Sequence, residues 1–207
     1  MKVLLVNGSP NKGGCTYTAL CEIASALEKN GVGSEIFHIG TEAVRGCIAC
    51  GKCRNNSKCV FDDDVCNELA ENMEAADGII IGSPVYYSGP NGALCALLDR
   101  VFFSGGMQKF KHKPAAAIVS CRRGGGSAAF DRLNKYFTIS QMHVVSSQYW
   151  NSVHGHEPEH VLADLEGLQV MRTLGNNMAW LLKCIKAGEA PPEPVEKRVF
   201  TSFHDGK

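Results

Sequence analysis

Cys47, Cys50, Cys53 and Cys59 crowd the stretch GCIACGKCRNNSKC, spaced C-x2-C-x2-C-x5-C. Two C-x2-C steps that share a central cysteine wind three sulfurs round one centre, with a fourth farther along the chain. Structural zinc more often takes two separate pairs, or cysteine with histidine. A compact triplet with a distant fourth is nearer to iron–sulfur spacing. Gly46 and Gly51 permit tight bends, and Arg45, Lys52, Arg54 and Lys58 offset the charge of a thiolate-ligated centre. Packed free thiols and a zinc site stay open beside the cluster. Of the ten cysteines, Cys66 reads as buried in the next helix, and Cys21, Cys95 and Cys184 as core positions on helix faces.

A second stretch, VNGSPNKGGCT at residues 6–16, follows the apolar MKVLL. It reads as a strand, a glycine-rich turn and a helix start. Hydroxyls and free amides at a helix N-terminus suit a phosphomonoester dianion. A triphosphate loop is excluded: Gly8 and Gly13 have its spacing, but Gly14 and Cys15 follow in place of Lys and Ser/Thr. A dinucleotide fingerprint is excluded too. Gly8-Ser9-Pro10 breaks G-x-G-x-x-G, and His38 and Ile39 stand where the ribose-binding acid belongs. An ordinary glycine-rich turn is the plain alternative. A third stretch, GSPVYYSGPNG at 82–92, puts two tyrosines among prolines and small residues. Tyr86 and Tyr87 suit the wall of a planar ring, with loop amides at its polar edge, or else simply cap the core at the strand end. Arg122 and Arg123 precede GGGS in a fourth. They suit an anionic group at the crevice, or read as a solvated pair on a loop. Cys121, at the end of its strand, also approaches this crevice. His154, His156 and His160 are too loosely spaced for a metal and read as surface histidines.

These residues need a frame. Strands are expected at 2–7, 33–39, 78–83, 114–121 and 142–147, and helices at 15–31, 65–77, 91–102, 127–140 and 159–188, the last interrupted at Gly167 or Gly175. Asp62–Asp64 read as an N-terminal cap for the second helix. Strict βα alternation implies an α/β fold, a doubly wound parallel sheet with helices on both faces. In such sheets ligands lie beyond the carboxyl ends of the strands, so the three glycine-rich loops share one crevice. Residues 1–188 form one domain carrying the cysteine-rich loop 46–60, and 189–207 form a proline-rich C-terminal tail or arm. Lys and Arg balance Asp and Glu at 21 each, which gives no basic excess for nucleic acid. The apolar runs are too short to span a membrane, and the opening strand has no leader character, so a cytoplasmic location is expected. Apolar residues in YWNSVHG and RVFTSF have no home in a five-strand core and point to a homodimer or homotetramer.

LLVNGSPNKGGCT, ADGIIIGSPVYYSGPNGALCALLDR and GCIACGKCRNNSKCVFDDD together resemble the flavodoxin-fold NAD(P)H-dependent FMN reductases and their iron–sulfur flavoprotein relatives. The resemblance spans about residues 1–185. It implies a flavodoxin-like five-stranded sheet of order 2-1-3-4-5 with FMN at the switch point. By position, Ser9, Asn11, Cys15 and Thr16 would surround the phosphate. Pro84, Val85, Tyr86 and Tyr87 would border the isoalloxazine, and Gly124 and Gly125 would approach its pyrimidine edge. The family often has a basic residue at Asn11 and an Asn at Cys15, a departure for which Lys12 is the nearest compensation. NAD(P)H would pass a hydride to FMN, and a quinone, flavin, nitro compound or protein would take the electrons. The four cysteines would hold a [4Fe–4S] cluster. An electron carrier between redox partners is the alternative function.

Overall fold

The structure is a computed structural model that describes residues 1–192, 199 and 201. The expected tail at 189–207 therefore lies largely outside the described residues.

The chain alternates strand and helix. It runs β1 (Lys2–Asn7), α1 (Cys15–Lys29), β2 (Gly33–His38), α2 (Cys66–Ala75), β3 (Gly78–Tyr86), β4 (Gly89–Pro90), α3 (Gly92–Val101) and, after a kinked π turn at Phe102–Gly106, α4 (Met107–Lys109). Then come β5 (Pro114–Cys121), α5 (Gly126–Ile139), β6 (His143–Val144), β7 (Ser152–His154), α6 (Pro158–Ala163) and α7 (Leu165–Ala187). β1 pairs in parallel with both β2 and β3, and β3 with β5. The sheet thus reads β2-β1-β3-β5, with β6 and β7 along the far side of β5. This is the expected flavodoxin-like order once the short β4 takes its own number.

Period-2 alternation divides β1 between two cores. Leu4 and Val6 pack with Leu94, Leu97 and Phe137 on one face. Val3 and Leu5 pack with Leu20, Ile23, Leu174 and Met178 on the other. Buried on both faces, the central strands are near-continuous apolar runs, as parallel sheets require. Among the described residues no helix is long and apolar enough to cross a membrane.

Three elements differ from the sequence expectation, each for a local reason. The fifth strand is not continuous over 142–147. It breaks after Val144 and resumes at Ser152. Asn151 bridges the break: its carbonyl accepts from Val119 N–H at 3.0 Å, and its Nδ2 donates to the Ala117 carbonyl at 3.1 Å. The terminal helix breaks at Asp164, not at Gly167 or Gly175. The Asp164 carboxylate accepts the Gly167 N–H at 2.9 Å and so caps a fresh helix. Gly175 instead permits close packing, because a Cβ there would stand 2.7 Å from that of Ala26 on α1. The third strand runs past Ser83 to Tyr86 and turns back into β4. Tyr87 and Ser88 hold φ of +50° and +61°, the two left-handed positions of a tight hairpin turn.

Candidate functional site

The loop after β1 folds through short side-chain turns. Ser9 N–H donates to Asn7 Oδ1 at 3.2 Å, Asn11 N–H to Ser9 Oγ at 3.1 Å, and Gly13 N–H to Asn11 Oδ1 at 3.3 Å. Gly8 lies against β3, its N–H donating to the Gly82 carbonyl at 2.8 Å. A Cβ on Gly8 would come within 2.5 Å of Leu94 and 2.7 Å of that carbonyl, so only glycine lets the loop lie this low. The loop thereby satisfies itself and leaves α1 without a side-chain cap. The first-turn amides of α1 have no partner within the helix.

Those amides border a cavity of about 370 Å³. Ser9, Asn11, Gly14, Cys15 and Thr16 line one end; Pro84, Val85 and Tyr86 line the other. Ser120, Cys121 and Arg122 from the end of β5, and the segment from Gly155 to Pro158, complete it. Thr16 Oγ1 and Ser120 Oγ share a hydrogen bond at 2.8 Å, which uses one of their two hydroxyl protons and leaves the other. Burial pushes the Cys15 and Cys121 thiols up, which keeps both neutral beside any phosphate. Tyr87 stands fully exposed at the hairpin tip, outside this lining. Gly124 and Gly125 lie in a neighbouring cavity of about 270 Å³ with Arg123, Trp150 and His154. Cys121 borders both cavities. Gly125, at φ +87°, packs on Ser88 of the hairpin. Uncapped amides at one end and an aromatic and proline wall at the other fit a flavin monophosphate. Ser120 escapes sequence reasoning, whereas Gly155–Pro158 belong to the segment YWNSVHGHEPEH after the fifth strand, whose Trp150, Asn151 and His154 are sequence candidates for reaching the site. His154 N–H donates to Asp164 Oδ2 at 2.7 Å, which fixes the turn that leads into them.

Cys47, Cys50, Cys53 and Cys59 all line a second, narrow cavity of about 20 Å³, with Phe103 and Arg100 on its far wall. Ala49 and Gly51, at φ +52° and +71°, make the bends that bring the first three together. Among the described residues no three His, Cys, Asp or Glu side chains stand at single-ion distances. A cubane cluster holds its thiolates wider apart than one ion does, and four thiols round one cavity fit that donor set. Burial first, then the charges of Cys50, Cys59 and Cys47, push the Cys53 thiol up. Cys66 lies outside the lining, pushed up to about 12 by burial.

Two buried side chains that sequence reasoning misses hold this loop. Asn67 accepts the Cys59 N–H at 3.1 Å and donates to the carbonyls of Cys59 and Phe61 at 3.1 and 3.2 Å. Arg100, 2% exposed, reaches in from α3. The expected basic residues do less: Arg45 pairs with Asp63 at 3.7 Å and Lys58 with Glu71 at 3.3 Å, all exposed. Asp64 does accept the Cys66 N–H at 3.0 Å at the start of α2, as an N-terminal cap should.

Residues 1–157 match the family described as NADPH-dependent FMN reductase. An iron-sulfur flavoprotein of Methanocaldococcus jannaschii is 33% identical over 193 residues, covering 90% of this chain and 100% of its own. An NADPH azoreductase of a Bacillus species is 28% identical over 171 residues, covering 82% and 79%. The fold matches that of a flavodoxin from the domain Archaea with a TM-score of 0.60 at 16% identity, over 88% of this chain and 99% of the other. With its flavodoxin-like sheet and a crevice that fits a flavin monophosphate, the chain belongs to the NADPH-dependent FMN reductase family and is an FMN-dependent oxidoreductase.

Proposed function

We propose that the chain binds FMN in the larger crevice, oxidises NAD(P)H there and reduces a second acceptor, a quinone, flavin, nitro compound or protein. The observation that carries this reading is the uncapped first turn of α1, aimed into a cavity walled by Pro84, Val85 and Tyr86. Ser9, Asn11, Cys15 and Thr16 hold the phosphate end, chiefly through backbone amides. Tyr86 borders the ring, with exposed Tyr87 at the hairpin tip beyond it and Gly124 and Gly125 in the neighbouring cavity. FMN, when bound, supplies hydride acceptance and one- or two-electron transfer. The protein's part would be to hold and orient the ring, with Pro84, Val85 and Tyr86 as its wall and the phosphate at the start of α1. Arg122 and Arg123 supply positive charge where a dinucleotide phosphate or a reduced ring would lie. The similarity to an NADPH azoreductase supports a nicotinamide donor.

A second reading is favoured by the four thiols around one cavity. There Cys47, Cys50, Cys53 and Cys59 hold a [4Fe–4S] cluster, and the protein carries electrons between redox partners. The similarity to an iron-sulfur flavoprotein supports it. Exposed Tyr149 and Trp150, beside the smaller cavity, support assembly as a homodimer or homotetramer.

Cys15→Asp tests the phosphate assignment. The new carboxylate sits in the first turn of α1, where it competes for the free amides and repels a dianion. FMN affinity is expected to fall by at least about tenfold, ~1.4 kcal/mol. Riboflavin, which lacks the phosphate, should bind both proteins alike in fluorescence titrations. Equal losses for the two ligands would place the phosphate elsewhere.

A further inference from the structure

Arg100 is a fully buried guanidinium that neither cavity's chemistry, as read from sequence, requires. It sits in the last turn of α3. Every hydrogen bond it makes lands on the segment that frames the cysteines. Nη1 donates to the Asp64 carboxylate and to the Arg45 carbonyl at 3.1 Å. Nη2 donates to the Phe61 carbonyl at 3.0 Å, and Nε donates to Cys59 Sγ at 3.3 Å. Two carbonyls, a carboxylate and a sulfur thus take a planar fork that lysine cannot imitate. The other end of α3 is tied to the flavin loops. Asn91 Nδ2 donates to the Gly8 carbonyl at 2.8 Å, and Asn91 N–H to Ser83 Oγ at 2.9 Å. Beyond Arg100 the kinked turn brings the Phe103 carbonyl within 4.0 Å of Cys53 Sγ. Gly105, at φ +120°, lets Ser57 sit against it, since a Cβ there would be 2.9 Å from that of Ser57.

We propose that Arg100 is a positioning and tuning residue for the four-cysteine centre: it fixes the Cys59 sulfur and, through Nε–H, raises the reduction potential of the cluster bound there. This rests on the cluster reading above. The physical reason is that a reduced cluster carries one more negative charge than an oxidised one. A buried cation that donates to a ligand sulfur favours the more negative state, and hydrogen bonds to the sulfurs are among the established controls of cluster potential. Arg100 is also paired with Asp64, whose carboxylate offsets much of its charge, so the effect on the potential comes chiefly through the Nε–H donated to Cys59 Sγ. The clamp is therefore present before the metal arrives, and the loop is held ready for it.

The test uses the FMN-loaded chain reconstituted anaerobically with iron and sulfide, in the unsubstituted form and as Arg100→Lys and Arg100→Gln. Redox titration followed by electron paramagnetic resonance reads the cluster couple. In both variants the couple is expected at lower potential, so that at the unsubstituted midpoint the ratio of reduced to oxidised cluster falls about tenfold, ~59 mV for one electron. FMN content reports that the fold is intact. Should the variants not fold, ¹⁵N-arginine labelling of the unsubstituted protein replaces them: a nitrogen coupling to the reduced cluster is expected from Nε. An intact cluster at unchanged potential in the variants, or no arginine coupling, overturns the role of Arg100 alone. Failure of the unsubstituted protein to take up iron and sulfide overturns the cluster reading, and this inference with it.

Discussion

Asp64→Ala is expected to destabilise the folded protein by about 3–5 kcal/mol, the range for breaking a buried ion pair by removing one partner. The side chains of Arg100 and Asp64 are 1% and 5% exposed, and the guanidinium cannot reach water when its partner is gone. Burial opposes ionisation of Asp64, but hydrogen bonds from Arg100, Cys66 and Arg45 outweigh it and hold its carboxyl below the usual range. The sign of the pH dependence follows. A carboxyl whose folded pKa lies below its unfolded value stabilises the fold above that unfolded value, about 3.9, and the contribution is lost as pH falls through the folded pKa. The unsubstituted protein should therefore lose stability in that acid window more steeply than Asp64→Ala. Glu35→Ala is the contrast. Its ion pair with Lys2 has both side chains about half exposed, and its loss should cost within about 1 kcal/mol. Urea denaturation of the three proteins reads all of this. Equal midpoints for Asp64→Ala and the parent would mean that Arg100 is not held as a charged, buried group.

Cys50→Ser is expected to remove most of the iron from anaerobically reconstituted protein, and Cys66→Ser to leave it in place. Cys50 lines the narrow cavity, whereas Cys66 lies outside it, its thiol pushed up to about 12 by burial. Ligands of one cluster act as a unit, so losing one costs far more than a quarter of the binding. FMN should stay bound in both variants. Its crevice is built from the ends of β1, β3 and β5, and the cysteines follow β2. Iron and sulfide analysis beside flavin absorbance measures the three proteins. Equal iron in Cys50→Ser and Cys66→Ser would contradict the assignment of the four ligands.

The sheet was legible because its central strands are apolar on both faces and its helices carry a 3.6-residue stripe, two periods that do not mimic each other. The fifth strand was less so. Residues 142–147 have the same apolar character as a strand, and nothing in their pattern tells that Asn151 will supply β5 with its hydrogen bonds in place of a continuous ladder. The crevice was legible where chemistry clusters in one loop, as with Ser9, Asn11, Cys15 and Thr16. It was not legible where a residue arrives by tertiary contact. Ser120 is an ordinary serine in a strand until Thr16 reaches it across the sheet. Arg100 reads as a helix-end arginine, 41 residues from the cysteine it touches. Tyr87 is placed by its turn. Its neighbour Tyr86 lines the cavity, and period-2 logic would send the next residue the other way, but a hairpin turn takes Tyr87 out of the strand altogether.

The oxidation of NAD(P)H by flavin held in the crevice is tested most directly by anaerobic mixing. Protein carrying one FMN per chain, freed of unbound flavin, is mixed with NADPH or NADH in the absence of oxygen and followed by rapid-scan absorbance. The flavin band should bleach with one nucleotide oxidised for each FMN reduced, plus any electrons taken by iron. The reduced protein should then recover its band on adding a quinone. A bound flavin that neither nucleotide reduces, while a chemical reductant does, would contradict the account and leave the electron carrier as the reading that stands.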